Sequence, residues 1–389
     1  MIRKRAKRLA GAVLAAGAIT AMPFQAFAQR SPEFAYSAEK WATLRDNKLE
    51  FDEISDLVHE YNPTVVQNEI SYKDYLTKNR DDVAQDYYDK ANEIYSNINY
   101  PDSDDANYGS GVAAALRNEQ QAKSLMEQGD ENTDDQATMR LQYDQSEAKL
   151  AKQAQGLMLT YWTQYYNLDG QKVRIEQAKL SYQSEQNRLA AGMSTQSKVL
   201  SAKESVSNAE AALVTAESNL ASTKESLCLM LGWGYGADVE IAELAEPDQS
   251  KIAAIDVNAD IQTALENSYA YRLTKKQLTN ARTDSVKEKL SETEKNQRET
   301  ISNSVKSAYD SLLLAQSSYE QAQSALALQE VSMKSADAKL AAGTITKNTY
   351  ESQKASYTTA QVTAQTQKLS LLQAMVDYDW AVNGLASAE

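Results

Sequence analysis

The sequence predicts an all-α protein made of long antiparallel coiled-coil hairpins in two tandem repeats. Three observations carry that prediction. The 389 residues contain only 13 Gly and 5 Pro, too few for the turns of a many-stranded sheet. Apolar residues recur in a seven-residue rhythm along two long segments, the period of a left-handed supercoil. A Leu-Ala-Ala-Gly-x-x-Thr pattern occurs twice, at residues 189–195 and 340–346, an offset of 151.

Taken in order, the chain opens with basic residues Arg3, Lys4, Arg5, Lys7 and Arg8, an apolar stretch over residues 9–22, and the small-residue pattern Ala26-Phe27-Ala28. Together these predict a secretory signal peptide, residues 1–28, and hence an exported protein of the cell envelope. Removing it moves the formal net charge from -14 to about -19. A surface this acidic is repelled by phosphates, so no nucleic-acid partner is expected. After residue 28 no apolar run reaches the length of a membrane helix.

The first repeat is read as residues 29–231. A helical segment over 64–97 leads into an insertion at about 98–135, which carries a helical stretch at 112–128 and an acidic loop at 129–135. A long helix follows over 136–189. Its stripe runs Leu150, Ala154, Leu157, Tyr161, Gln164, Leu168, Gln171, Ile175, Ala178, Tyr182, Glu185 and Leu189. Gly170 marks an expected kink. Gly192 sits where a helix end takes up left-handed geometry, and Thr195 is placed to cap the returning helix of 195–231. Cys228 in that helix reads as a free buried thiol.

A crossover over 232–259 begins with Gly232-Trp233-Gly234-Tyr235-Gly236. It lacks the Lys-Ser/Thr and strand-to-helix context of a phosphate loop, so an aromatic packing anchor is expected. The second repeat, 260–389, has a short helix at 260–282, a turn at 280–284 and a long helix at 287–340. Its stripe runs Ile301, Val305, Ala308, Leu312, Ala315, Tyr319, Ala322, Leu326, Gln329, Met333, Ala336 and Leu340. Gly343 and Thr346 then repeat the turn before a last helix at 346–382. At about 1.5 Å per residue each long helix spans roughly 80 Å and needs a lateral partner along its length.

These features resemble the TolC-type outer-membrane efflux family. The resemblance rests on Asn62-Pro63 after an amphipathic opening helix, the two Gly-x-x-Thr turns, the returning helix ending Leu227, Leu231, Gly232, and the tandem duplication. It implies a homotrimer whose hairpins form a hollow α-helical barrel. Its turn ends would meet a membrane-fusion adaptor and receive substrate from an inner-membrane pump. Gly192, Met193, Thr195, Gly343, Thr344 and Thr346 would then lie at the adaptor-contacting tip, with Glu204 and Glu351 as candidates for a polar ring. The family also inserts a two-strand hairpin into each repeat to build a membrane β-barrel. Here the second repeat has no room for one, and residues 97–111 are Asp-rich and short, so the barrel hairpins are expected to be missing.

The leading functional reading is an exported conduit component for efflux or secretion, giving passive passage while a partner supplies energy. The alternative is a structural coiled-coil spacer of the envelope with no channel. An enzyme ranks third. The one His, His59, stands beside Glu60, but neighbours in a helix point to different faces. One Cys and one His leave no metal-ligand spacing, and no cofactor is expected.

Overall fold

The computed structural model describes residues 31–104 and 106–386, so the export segment read at residues 1–28 lies outside the described residues. In chain order the α-helices are α1 (Ala38–Leu44), α2 (Ile54–Tyr61), α3 (Pro63–Tyr72), α4 (Arg80–Ser96), α5 (Tyr108–Asp130), α6 (Gln136–Ala190), α7 (Gln196–Met230), α8 (Gln249–Ala253), α9 (Val257–Asn267), α10 (Tyr269–Asn280), α11 (Asp284–Ala341) and α12 (Lys347–Trp380). The only strands among the described residues are β1 (Lys48–Leu49) and β2 (Glu240–Ile241), paired in parallel.

Helices as long as α6 (55 residues) and α11 (58 residues) exist because each buries its seven-residue stripe on neighbours. α6 packs on α7, α11 packs on α12, and α6 packs on α12. The four therefore form one layer in the order α7–α6–α12–α11. Every stripe position of α6 and α11 is buried or half-buried. The polar Gln329 in the α11 stripe is met by Gln353 of α12, whose amide donates to it at 2.8 Å. A polar pair satisfied in this way leaves the seam closed.

Burial is uneven along the layer. At the end away from the glycine turns, Leu44, Ile54, Leu57 and Val58 pack with Met158, Leu227 and Leu231 in one core, while Ile261, Ile301, Val305, Leu312 and Leu371 build a second. Toward the glycine turns only Ile175, Val199, Ala322, Ala336, Ala355 and Ala364 are fully buried. That half is a wall one helix thick.

Local chemistry breaks two segments that periodicity reads as single helices. The stretch 64–97 splits at Asn79, whose side chain accepts from the Asp81 and Asp82 amides while Asp82 returns a bond to the Asn79 amide. This reciprocal box favours a fresh helix start over continuation. The stretch 260–282 splits at Ser268, which caps α10 through the Tyr271 amide. α6, by contrast, continues through Gly170 without a break in its helix. A mid-helix Gly costs about 1 kcal/mol, less than a rupture of the seams on either side.

α4 and α5 form a hairpin of their own along a seam of small residues, Ala84, Ala91, Ala115, Ala122 and Gly129. Its root is clamped to the turn between α10 and α11. Arg80 donates to the Asn280 carbonyl at 2.8 Å, and Asn132 donates to the Arg80 carbonyl at 2.9 Å. Asn280 donates to the Thr133 carbonyl at 2.7 Å. The hairpin thus starts at Arg80, upstream of residue 98. Where the family resemblance implies strand hairpins, the described residues hold this helical pair and, in the second half, a turn over residues 281–283.

Candidate functional site: the glycine turns and the crossover strap

Lys152 pairs with Asp377 at 2.8 Å and Trp380 donates to Gln155 at 2.7 Å. The end of α12 therefore lies beside the start of α6, the two run antiparallel, and both glycine turns sit at the same end of the layer.

The two turns use the same atoms. In the first, the Gly192 amide donates to the Leu189 carbonyl (2.9 Å) and the Met193 amide to the Arg188 carbonyl (2.7 Å). In the second, Gly343 donates to Leu340 (3.0 Å) and Thr344 to Lys339 (2.9 Å). This is the helix-ending bond pair that requires a left-handed residue, supplied by Gly192 at φ 73° and Gly343 at φ 66°. Thr195 and Thr346 then accept from the Lys198 and Thr349 amides to start the next helix. No atom lies within 4 Å of a Cβ added at either glycine, and Met193 is 67% exposed. The turns present backbone and small side chains to solvent.

Glu204 is exposed on α7 and Glu351 half-buried on α12. Since α6 separates these helices, one chain does not bring the two carboxylates together. Beside the turns stand polar contacts that the pattern reading passed over. Glu185 holds Arg188 at 3.1 Å and Ser194 at 2.5 Å, and Tyr350 donates to Asp337 at 2.9 Å. Glu185 was legible as an acid at a core position of the stripe. Asp337 and Tyr350 carry no such signal.

The second feature is the crossover. α7 ends at Gly232 (φ 89°), where an added Cβ would stand 2.5 Å from the Tyr61 Cβ. Asn62 donates to the Met230 carbonyl at 2.8 Å from the start of α3, while its own oxygen caps that helix. Trp233 is buried and Tyr235 is 86% exposed, so one aromatic of the Gly-rich run anchors it. Burial pushes the Cys228 thiol up to about 11, which leaves it unreactive at neutral pH.

From β2 the chain crosses α6, α12 and α11 as a strap. Trp162 donates to the Ala242 carbonyl (3.0 Å) and Tyr166 to Glu243 (2.7 Å). Lys368 of α12 donates to the Leu244 carbonyl (3.2 Å) and to Glu246 (2.8 Å), and Tyr319 of α11 donates to the other Glu246 oxygen (3.1 Å). Lys368 is 7% exposed. The ammonium beside it holds the Glu246 carboxyl below its ordinary range. A lysine between Ala364 and Leu371 on the packed face was the available sequence signal, since a buried amine demands an acceptor.

His59 lies against Glu147 of α6, with 2.6 Å between Nδ1 and the carboxylate. Among the described residues no group of three or more His, Cys, Asp or Glu side chains is placed to hold a metal ion. None of the described helices is long and apolar enough to cross a membrane.

No known family's sequence pattern matches the chain, and no curated protein matches it. Solved structures do. CusC, described for its folding and transmembrane channel formation, aligns with a TM-score of 0.51 at 12% identity, over 93% of this chain and 98% of its own. The outer membrane protein VceC of Vibrio cholerae aligns with a TM-score of 0.49 at 13% identity, over 90% of this chain and 99% of its own. At such identity the likeness speaks for the backbone alone. With its side-by-side hairpins turning at paired glycines, the chain has the TolC-type α-helical channel fold.

Proposed function

We propose that the chain is the subunit of an exported conduit for efflux or secretion. In this reading three copies close their helical layers into a hollow cylinder, passage through it is passive, and an inner-membrane pump supplies the energy. An adaptor meets the end formed by Gly192, Met193, Thr195, Gly343, Thr344 and Thr346.

One observation carries the proposal: the layer is open, and its two edge helices bear exposed apolar residues. α7 shows Leu200, Val214 and Leu229, and α11 shows Leu314, Leu328 and Val331. Counted from the glycine turns at about 1.5 Å per residue, the first set stands roughly 8, 28 and 51 Å along and the second roughly 42, 21 and 16 Å. No two of the six stand level, the order from the turns being α7, α11, α11, α7, α11, α7, and α7 and α11 run in opposite directions. The α7 edge of one copy therefore fits the α11 edge of the next as small knobs between one another. An edge-to-edge joint of this kind repeats around an axis and closes when the rotation divides the circle. A wall one helix thick then encloses a lumen.

Light scattering of the size-separated exported chain, followed by negative-stain images, tests this. A ring of three with a central hole is expected. Paired Val214→Cys and Leu328→Cys substitutions should cross-link neighbouring copies under oxidation, with Cys228 too buried to compete. A monomer, or a trimer with a solid core, would instead fit the envelope spacer and end the conduit reading.

A further inference from the structure

Beneath the strap, between it and the last turns of α12, lies an open cleft of about 940 Å³, within the size range of small-molecule sites. It is formed by one chain and stands far from the glycine turns, at the opposite end of α12. Its floor is apolar. Phe51, Leu372, Met375 and Val376 line it, and each keeps part of its surface in water.

Its rim is acidic, with seven carboxylates against Lys48 and Lys251. Several of these acids are already engaged. Glu246 is held by Lys368, Glu50 by Lys48, and Glu243 by the Tyr166 hydroxyl, while Asp248 caps α8 through Ser250. Asp52 and Asp379, together with Glu240 near Lys48, form no ion pair among the described residues. Asp379 accepts a bond from the Asn383 amide at 2.9 Å. Burial holds its carboxyl above the ordinary range against the opposing pull of Asn383 and Lys251. Asp379 and Asp52 are both exposed, so two carboxylates without a paired cation stand at the rim of a half-wet apolar floor, a combination that a ligand of opposite charge with an apolar body would cover.

We propose that this cleft binds a small organic cation with an apolar body. The cationic centre sits at Asp379 and Asp52, and the body covers Leu372, Met375, Val376 and Phe51. A small anion meets the acidic rim and is repelled. A compact polar cation gains nothing from the floor. The site requires neither the closed ring nor passage through it.

Rhodamine 6G, a rigid apolar monocation, is a suitable probe, with fluorescein as its anionic counterpart. Both are titrated into the full exported chain, residues 29–389, and read by fluorescence anisotropy. One saturable site per chain is expected, with rhodamine bound at least about ten-fold more tightly than fluorescein. Asp379→Asn should weaken rhodamine by about five-fold or more, and Glu217→Gln, an exposed acid on α7, should leave it unchanged. Leu372→Trp, which fills the cleft, should abolish binding. Should that variant fail to fold, Asp379→Lys decides, because reversing the charge must shift preference towards fluorescein. Equal affinity for the two dyes, equal losses in Asp379→Asn and Glu217→Gln, or unaltered binding in the cleft variants would each overturn the proposal. Oligomeric state, measured on the same samples, reports separately on the conduit reading.

Discussion

At one end of the molecule α6–α7 and α11–α12 reverse through turns that match bond for bond, each with a left-handed glycine and a capping threonine. At the other end the two halves part company. α3 reaches α6 only after the α4–α5 hairpin, whereas α10 reaches α11 across three residues. The glycine turns are decided locally, by bonds within a few residues, so the same short pattern builds them twice. The opposite ends are decided by what the neighbouring helices can clamp. There the Asn280 turn of the second half serves as the seat for the extra hairpin of the first.

The contrast between local and clamped geometry can be broken hardest at a third turn of the same kind. Gly232 ends α7 with the same bond pair, its amide donating to Leu229 and that of Trp233 to Cys228. An alanine Cβ at Gly232 would collide with Tyr61, while one at Gly192 meets open space. Gly232→Ala should therefore cost about 3 kcal/mol or more, combining left-handed strain with overpacking. Gly192→Ala should cost only the strain, about 1–2 kcal/mol. Chemical denaturation of both variants checks the ordering; equal losses would mean that Tyr61 gives way and the crossover is looser than it looks.

The root of the α4–α5 hairpin comes next. Asn132 and Asn280 are 7% and 8% exposed, and their amides satisfy the Arg80, Asp134 and Thr133 carbonyls. Replacing Asn280 by Ala takes the donor from the half-buried Thr133 carbonyl and should cost about 2 kcal/mol. Amide exchange should rise in α4 and α5 before it rises in α6. Thr195→Ala and Thr346→Ala are expected to be milder, about 1 kcal/mol each. Because the two turns are alike, the losses should agree; a two-fold difference in the denaturation energies would break the likeness.

The periodic parts of this structure were legible and the interrupted parts were not. The stripes from Leu150 to Leu189 and from Ile301 to Leu340 meet their neighbours at every step, and Gly192, Gly343, Thr195 and Thr346 do at the turns what their residue types suggest. Periodicity is blind to a side-chain cap, as at Asn79 and Ser268, where the cap begins a new helix inside a stretch that reads as one. It also overstated Gly170, whose lost Cβ matters little where both flanking seams hold. The strap was invisible because its bonds join residues far apart in sequence: Lys368 with Leu244, Trp162 with Ala242. Only the misplaced lysine on a packed face hinted that something polar had to cross there.

Acid should separate the strap from the hairpin root, and the strap's effect is expected to be the smallest of all. Bonds from Lys368 first, then Tyr319, hold the Glu246 carboxyl below its ordinary range. At Asp135 burial pushes upward but is outweighed by the Thr138 amide, Asn280 and Lys276. A carboxyl depressed in the folded state binds its proton more readily when unfolded. Its contribution is thus complete above the unfolded value, roughly 4 for either residue, and disappears as pH falls through the folded value. Glu246 is 72% exposed at its side chain and Asp135 only 14%, so solvent screens the first far more. Glu246→Gln should remove about 0.5 kcal/mol at neutral pH and little at pH 3. Asp135→Asn should remove about 1–2 kcal/mol over the same window. Denaturation midpoints measured from pH 7 to 3 give both slopes at once. A steeper acid loss from Glu246 than from Asp135 would mean that the strap, and not the clamped root, is the tighter of the two joints.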